Sequence, residues 1–140
     1  MERPMIAVID GQGGGIGSVI VRRLREAFAE EIEIVGLGTI AMATGAMLKA
    51  GANRGASGEN AIVRSVPMAD IITGAVAIVA ANAMMGELTP RMSEAIASAP
   101  GRKCLLPLKM ADLEIIGAPK EPLPHLVELL IKRIREILAS

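Results

Sequence analysis

Apolar residues along this chain alternate between short continuous runs and runs with helical spacing. Met5 to Ile9 is a continuous apolar run of strand length, and from Ile16 to about Ala29 the apolar residues recur every four positions. Repeated along the chain, this alternation predicts an α/β Rossmann-like three-layer sandwich in one domain (1–140), with a mostly parallel sheet of about six strands. The further predicted strands are Glu33 to Leu37, Ala61 to Arg64, Ile71 to Thr73, Lys103 to Leu108 and Leu113 to Ile116, and the further helices are Ile40 to Ala50, Ala75 to Met85, Pro90 to Ser98 and one opening at Pro124.

Two stretches carry distinctive local signals. Ala75 to Met85 is apolar almost throughout, so periodicity alone does not separate strand from helix, and its length favours a helix. Thr89-Pro90 is typical of a helix start, with the threonine as N-cap and the proline in the first turn. The polar, turn-rich stretch from Ala52 to Asn60 predicts a loop.

Composition narrows the class of protein. Apolar residues make up 51% of only 140 residues, with nine Met and a single aromatic residue, and burying so much apolar surface favours a homo-oligomer. Fifteen basic and fifteen acidic residues cancel, which argues against a general nucleic-acid or membrane-surface binder. One Cys and one His exclude a Cys/His metal cluster and an internal disulfide, and no signal peptide or long apolar run is found, so we expect a cytoplasmic protein.

A glycine loop lies between the first strand and the first helix. Gly11 to Gly17 contains five glycines in seven positions. Such a loop presents backbone N–H groups at a helix N-terminus, where the dipole favours anions and missing Cβ atoms let a phosphate approach. We therefore expect a bound nucleotide, NAD(P) or another; the alternative is a tight turn without a ligand.

The spacing of these glycines resembles two known loops and departs from others. The dinucleotide fingerprint, with glycines at i, i+2 and i+5, is not met from Gly11 or from Gly13. The Gly-x-x-x-Gly-Ile-Gly pattern that begins at Gly11 resembles short-chain dehydrogenases, but the chain lacks the tyrosine that their Tyr-x-x-x-Lys pair uses as proton donor. The loop also resembles that of partition-type ATPases, but it lacks their lysine. We therefore expect neither hydride transfer of the short-chain dehydrogenase type nor ATP hydrolysis.

Several motifs together resemble one bacterial family. They are Asp-Gly-Gln-Gly-Gly-Gly-Ile-Gly from Asp10, Ala-Met-Leu-Lys-Ala-Gly-Ala-Asn from Ala46, Gly-Glu-Asn-Ala-Ile from Gly58 and Gly-Glu-Leu-Thr-Pro from Gly86. The chain resembles, over nearly its whole length, a family of short proteins described only as a domain of unknown function. The resemblance implies a Rossmann-like fold and no activity.

The candidate binding residues follow from the fold. Ligands of such sheets lie beyond the carboxyl ends of the strands, where the strand order reverses. The residues expected there are Asp10, Gly11, Gln12, Gly13, Gly14, Gly15, Ile16, Gly17, Thr39, Glu59, Asn60 and Gly74, with Asn82, Glu87 and Lys109 as further polar candidates.

Two of these residues leave alternatives open. Thr39 follows closely after the second strand, where NAD-binding folds usually carry an acid for the ribose. It either bonds a ribose hydroxyl or caps the next helix, and capping preferences favour the cap. Asp10 either holds Mg²⁺ or ties the glycine loop together through backbone N–H groups, and the second interpretation is favoured.

The sequence offers few catalytic groups. Cys104 lies in an apolar strand and is interpreted as core, whereas His125 begins the last helix and is expected to be exposed. The favoured function is a nucleotide-binding module. The alternatives are a small enzyme on a nucleotide or phosphorylated substrate, with Asp10, Glu59 or Lys109 as acid, base or anchor, and an oligomeric scaffold with no ligand.

Overall fold

The computed structural model describes residues 2–108, 110 and 112–140, and in this part of the chain strands and helices alternate as the apolar pattern predicts. Its five strands form one sheet in the order β3-β2-β1-β4-β5, with every neighbouring pair parallel. The strands are β1 (Met5–Asp10), β2 (Glu33–Gly38), β3 (Arg54–Ser57), β4 (Ile71–Ala75) and β5 (Arg102–Leu106), and the helices are α1 (Gly15–Phe28), α2 (Ala41–Ala50), α3 (Glu59–Ser65), α4 (Pro90–Ser98) and α5 (Leu123–Ala139).

Helices cover both faces of the sheet. Ile6 and Val8 of β1 lie in one apolar cluster with α1, α5 and Met47 of α2, whereas Ala7 and Ile9 lie in a second cluster with α3 and α4. Successive strand residues point to opposite faces, so a strand buried on both sides needs an unbroken apolar run. This confirms the predicted α/β three-layer sandwich, with five strands rather than six in the described residues.

The strand order reverses next to β1, the strand that the glycine loop follows. From β1 the chain adds β2 and β3 on one side of the sheet, and then returns to add β4 and β5 on the other. The carboxyl ends of β1 and β4 therefore lie side by side where the winding reverses, which is the general ligand position in open α/β sheets.

Two predicted elements between β2 and β4 are wrong. The expected loop from Ala52 to Asn60 contains β3, and the expected strand from Ala61 to Arg64 lies within α3. Arg-Gly-Ala-Ser of β3 has no apolar alternation that would indicate a strand. The segment is a strand at the edge of the sheet because its backbone pairs with β2. Ile62 and Val66, both fully buried, have the four-residue spacing of a helix.

Two later elements also differ from the prediction. Ala75 to Met85 is not a helix: Ala75 ends β4, Val76–Val79 is a short 3₁₀ helix, and a compact turn follows. Asn82, Met84 and Met85 have φ of +67°, +58° and +57°, which an α-helix excludes. Leu113 to Ile116 forms no strand, only an isolated antiparallel bridge between Met110 and Leu113.

The remaining boundaries follow the sequence signals closely. Thr89 is the N-cap of α4, and its Oγ1 accepts a hydrogen bond from the Met92 N–H at 3.2 Å, as Thr89-Pro90 predicts. The strand predicted from Lys103 to Leu108 is β5, two residues shorter at its end. None of the described helices combines the length and apolar character that a membrane span requires.

Candidate functional site

Asp10 ties the glycine loop to the first turn of α1. Its buried carboxylate accepts hydrogen bonds from the N–H of Gly11 at 2.8 Å and of Gly17 at 2.6 Å. This confirms the loop-tying interpretation of Asp10. Burial raises the pKa of the Asp10 carboxyl, the backbone N–H bonds from Gly17, Gly11 and Ile16 oppose that rise, and the nearby Glu87 carboxylate adds to it.

Three of the five loop glycines are required by packing within the protein. A Cβ on Gly14, whose φ is +73°, would lie 2.9 Å from the Cα of Ala43, so this glycine lets α2 approach the loop. A Cβ on Gly17 would lie 2.7 Å from Met47 Sδ, and one on Gly11 would lie 2.8 Å from Thr39 Oγ1. These glycines are explained without a ligand, because real Cβ atoms do not approach other atoms so closely.

Gly13 and Gly15 differ from these three. A Cβ on either would meet no heavy atom within 4 Å, and both residues are exposed. Among the described residues, neither N–H donates to any acceptor of the chain. Two open N–H groups therefore lie at the start of the 14-residue helix α1, in the loop that follows β1.

Thr39 does not cap α2, contrary to the favoured interpretation of its sequence position. Ile40 is the N-cap residue of α2, and no side chain caps that helix. Thr39 Oγ1 instead donates a 2.7 Å hydrogen bond to Glu87 Oε1. Glu87 Oε1 also accepts a hydrogen bond from the Gln12 N–H at 2.8 Å, so the Glu87 carboxylate connects the end of β2 with the glycine loop.

The segment that carries Glu87 is backbone-strained. Of the five non-glycine residues with positive φ among those described, four lie in the two segments that meet here: Gln12, Asn82, Met84 and Met85. Positive φ costs an L-residue of order 1 to 3 kcal/mol, and such strain collects at binding and catalytic sites. The sequence favours Glu59 and Asn60 over Glu87 because it predicts a loop for them at the ligand edge of the sheet. The turn that carries Glu87 is not indicated by the sequence, which predicts a helix from Ala75 to Met85.

Glu59 and Asn60 lie in the first turn of α3 rather than in a loop. Glu59 accepts a 2.6 Å hydrogen bond from Thr89 Oγ1 and lies 3.7 Å from the Arg91 guanidinium, so its carboxylate connects the starts of α3 and α4. Asn60 is exposed. The structure therefore places Glu59 in a structural contact, and a ligand role for either residue stays a prediction.

Gly74 and Ile16 also have structural explanations. A Cβ on Gly74 would lie 2.5 Å from the Ile9 carbonyl oxygen, so this glycine allows the close approach of β4 to β1. Ile16 is half-buried and packs against the cluster around α1 and α5. Ligand contact for either residue stays a prediction.

The other candidate catalytic groups lie on β5, at the start of α5 or outside the described residues. Cys104 of β5 packs against the α1–α5 cluster, as expected, and burial raises the pKa of its thiol. His125 is exposed, as expected, and its Nδ1 lies 3.0 Å from Glu121. Lys109 lies outside the described residues, within which no group of three or more His, Cys, Asp or Glu could hold a metal.

Comparison with known proteins identifies the family. The model described as "Domain of unknown function (DUF3842)" matches residues 5–139, so the chain belongs to this family. Searches of curated proteins and of solved structures find no match. The expected resemblance to an uncharacterised family is confirmed, and the likeness of the glycine loop to short-chain dehydrogenases stays a prediction.

Proposed function

We propose that this member of the DUF3842 family binds a nucleotide, with a phosphate on the open N–H groups of Gly13 and Gly15. The proposal is carried by one observation: three of the five loop glycines are closely packed at the Cβ position, and two face open space. Packing accounts for Gly11, Gly14 and Gly17, but a tight turn leaves the absence of side chains at Gly13 and Gly15 unexplained. A phosphate oxygen within hydrogen-bond distance of two backbone N–H groups would require that open space.

The position of these N–H groups supports the same proposal. They lie at the positive end of the α1 dipole and follow the carboxyl end of β1, the strand at which the winding of the sheet reverses. Asp10 occupies the N–H groups of Gly11 and Gly17 and Glu87 that of Gln12, which leaves Gly13 and Gly15 as the donors. The ligand would therefore lie along the outer side of the loop.

The proposed role is binding rather than hydride transfer. NAD is the first ligand to test, since the fold is of the kind that binds dinucleotides at this edge. The chain contains no tyrosine, so the proton donor of the short-chain dehydrogenases has no counterpart. A bound NAD would then be sensed or structural, and the protein would act as a sensor or accessory subunit.

Binding is tested on the purified protein. We expect mass spectrometry of the protein as isolated, or calorimetry with NAD, NADP and ATP, to detect one nucleotide per chain at micromolar affinity, or about −8 kcal/mol. Charge-assisted bonds to a phosphate contribute about 1.5 to 3 kcal/mol each, and contacts to ribose and base would supply the remainder. Absence of any bound or binding nucleotide would contradict the proposal.

We also propose that the chain is a homo-oligomer. Large apolar side chains are exposed on several elements, and Leu129 of α5 (54% exposed), Met42 of α2 (69%) and Met85 (97%) are among them. Light scattering at micromolar concentration should give at least twice the 14.6 kDa chain mass. A monomeric mass would show that these side chains are simply exposed, and Leu129→Glu tests whether α5 forms the interface.

A further inference from the structure

We propose that Glu87 selects a nucleotide with an unphosphorylated ribose, and that it replaces the acid usually found at the end of β2. The inference rests on the proposed function and goes further by naming the residue that reads the ribose. Dinucleotide folds that bind NAD place an Asp or Glu about twenty residues after the glycine loop, where it accepts bonds from the ribose hydroxyls. Here that position carries Gly38-Thr39, with no acid.

The structure supplies a carboxylate to that place from another segment. Glu87 comes from the turn between β4 and α4, yet its Oε1 lies 2.7 Å from Thr39 Oγ1 and 2.8 Å from the Gln12 nitrogen. These two contacts fix it between the end of β2 and the second residue of the glycine loop. A ribose attached to a phosphate on Gly13 and Gly15 would lie next to it.

Glu87 is held in position by its own turn. The Glu87 N–H donates to the Met84 carbonyl at 3.1 Å, and the next residue, Leu88, is fully buried. Among the described residues, Oε2 of Glu87 accepts no hydrogen bond, so one oxygen is anchored and the other is available for a ribose hydroxyl. The strained backbone at Met84 and Met85 is explained if it serves to place this carboxylate.

A carboxylate fixed at this point distinguishes a free ribose from a 2′-phosphorylated ribose by charge. It accepts hydrogen bonds from the 2′- and 3′-hydroxyls, but it repels a 2′-phosphate. We therefore expect the protein to bind NAD at least about tenfold more tightly than NADP. A site without such a carboxylate would not show this preference.

Calorimetry with NAD and NADP on wild type, Glu87→Gln and Glu94→Gln tests the inference. Glutamine keeps an oxygen that accepts from Thr39 and Gln12 but removes the charge, so the NAD-to-NADP affinity ratio should fall to about one. Glu94 is exposed on α4, and its variant should keep the wild-type ratio. Thr39→Val, which removes the hydroxyl that positions Glu87, should lower the ratio partly and serves as the second variant if Glu87→Gln unfolds.

The outcomes separate the two proposals. A wild-type protein that binds neither dinucleotide nor ATP contradicts the proposed function itself. Equal wild-type affinity for NAD and NADP, or an unchanged ratio in Glu87→Gln, overturns only the role of Glu87. Tighter binding of both dinucleotides by Glu87→Gln would also overturn it, because the carboxylate would then compete with the ligand.

Discussion

Gly15→Val should weaken nucleotide binding about a hundredfold while leaving the fold intact. A Cβ at Gly15 meets no heavy atom within 4 Å, so the valine side chain begins in open space at the start of α1 and covers the N–H groups proposed to hold the phosphate. Loss of one or two charge-assisted hydrogen bonds costs about 3 kcal/mol, which corresponds to about a hundredfold in affinity. Calorimetry with the nucleotide that binds wild type gives the affinity, and urea unfolding should give a stability within about 1 kcal/mol of wild type.

Two further glycine variants make this result specific. Gly45→Val places the same side chain in open space on an exposed part of α2 and should leave binding unchanged. Gly14→Val forces a side chain against the Ala43 backbone at a positive φ, so it should lower stability by about 2 kcal/mol or more. Wild-type affinity in a folded Gly15→Val would place the phosphate elsewhere.

Asp10→Ala should destabilise the protein by about 2 to 4 kcal/mol. The variant leaves the N–H groups of Gly11 and Gly17 without their acceptor in a buried position, and each such group costs about 1 to 3 kcal/mol. The loop and the first turn of α1 lose the group that joins them. Urea unfolding followed by circular dichroism measures the change; a loss below about 0.5 kcal/mol would mean that water replaces the carboxylate.

Asp10→Asn tests the charge of the same residue. Because burial raises the folded pKa above the ordinary 3.8, the folded state keeps a proton that the unfolded state releases, and the free energy of unfolding falls as pH rises from about 3.8 to the folded pKa. Asn does not titrate, so the stability of wild type relative to Asp10→Asn should be greatest below this window and constant above it. The opposite slope would show that the backbone N–H bonds outweigh burial.

The strands and helices whose own apolar pattern determines their burial are predictable from the sequence. The apolar run of β1 and the four-residue period of α1 and α5 needed no tertiary information, because each element carries its full apolar pattern. Thr89-Pro90 likewise placed the start of α4, since capping depends on adjacent residues.

The elements that were missed depend on distant partners. Arg54–Ser57 is a strand because β2 offers it a row of hydrogen-bonding groups, and nothing in Arg-Gly-Ala-Ser indicates one. The apolar residues after Ala75 pack as a 3₁₀ helix and a turn because Ile78 and Leu88 are both buried against α4. The sequence therefore predicts the burial of these residues but not the path of their backbone.

The sequence by itself determined the α/β layers, the glycine loop at the start of α1 and the role of Asp10, because all of these depend on residues within a few positions of one another. Tertiary structure alone decided which glycines are open and where the second carboxylate lies. Gly14 and Gly17 are packing residues only because α2 crosses the loop, and Glu87 reaches Gln12 across 75 positions of sequence. Contacts made by side chains so far apart are set by how the sheet is ordered, and no local pattern encodes that order.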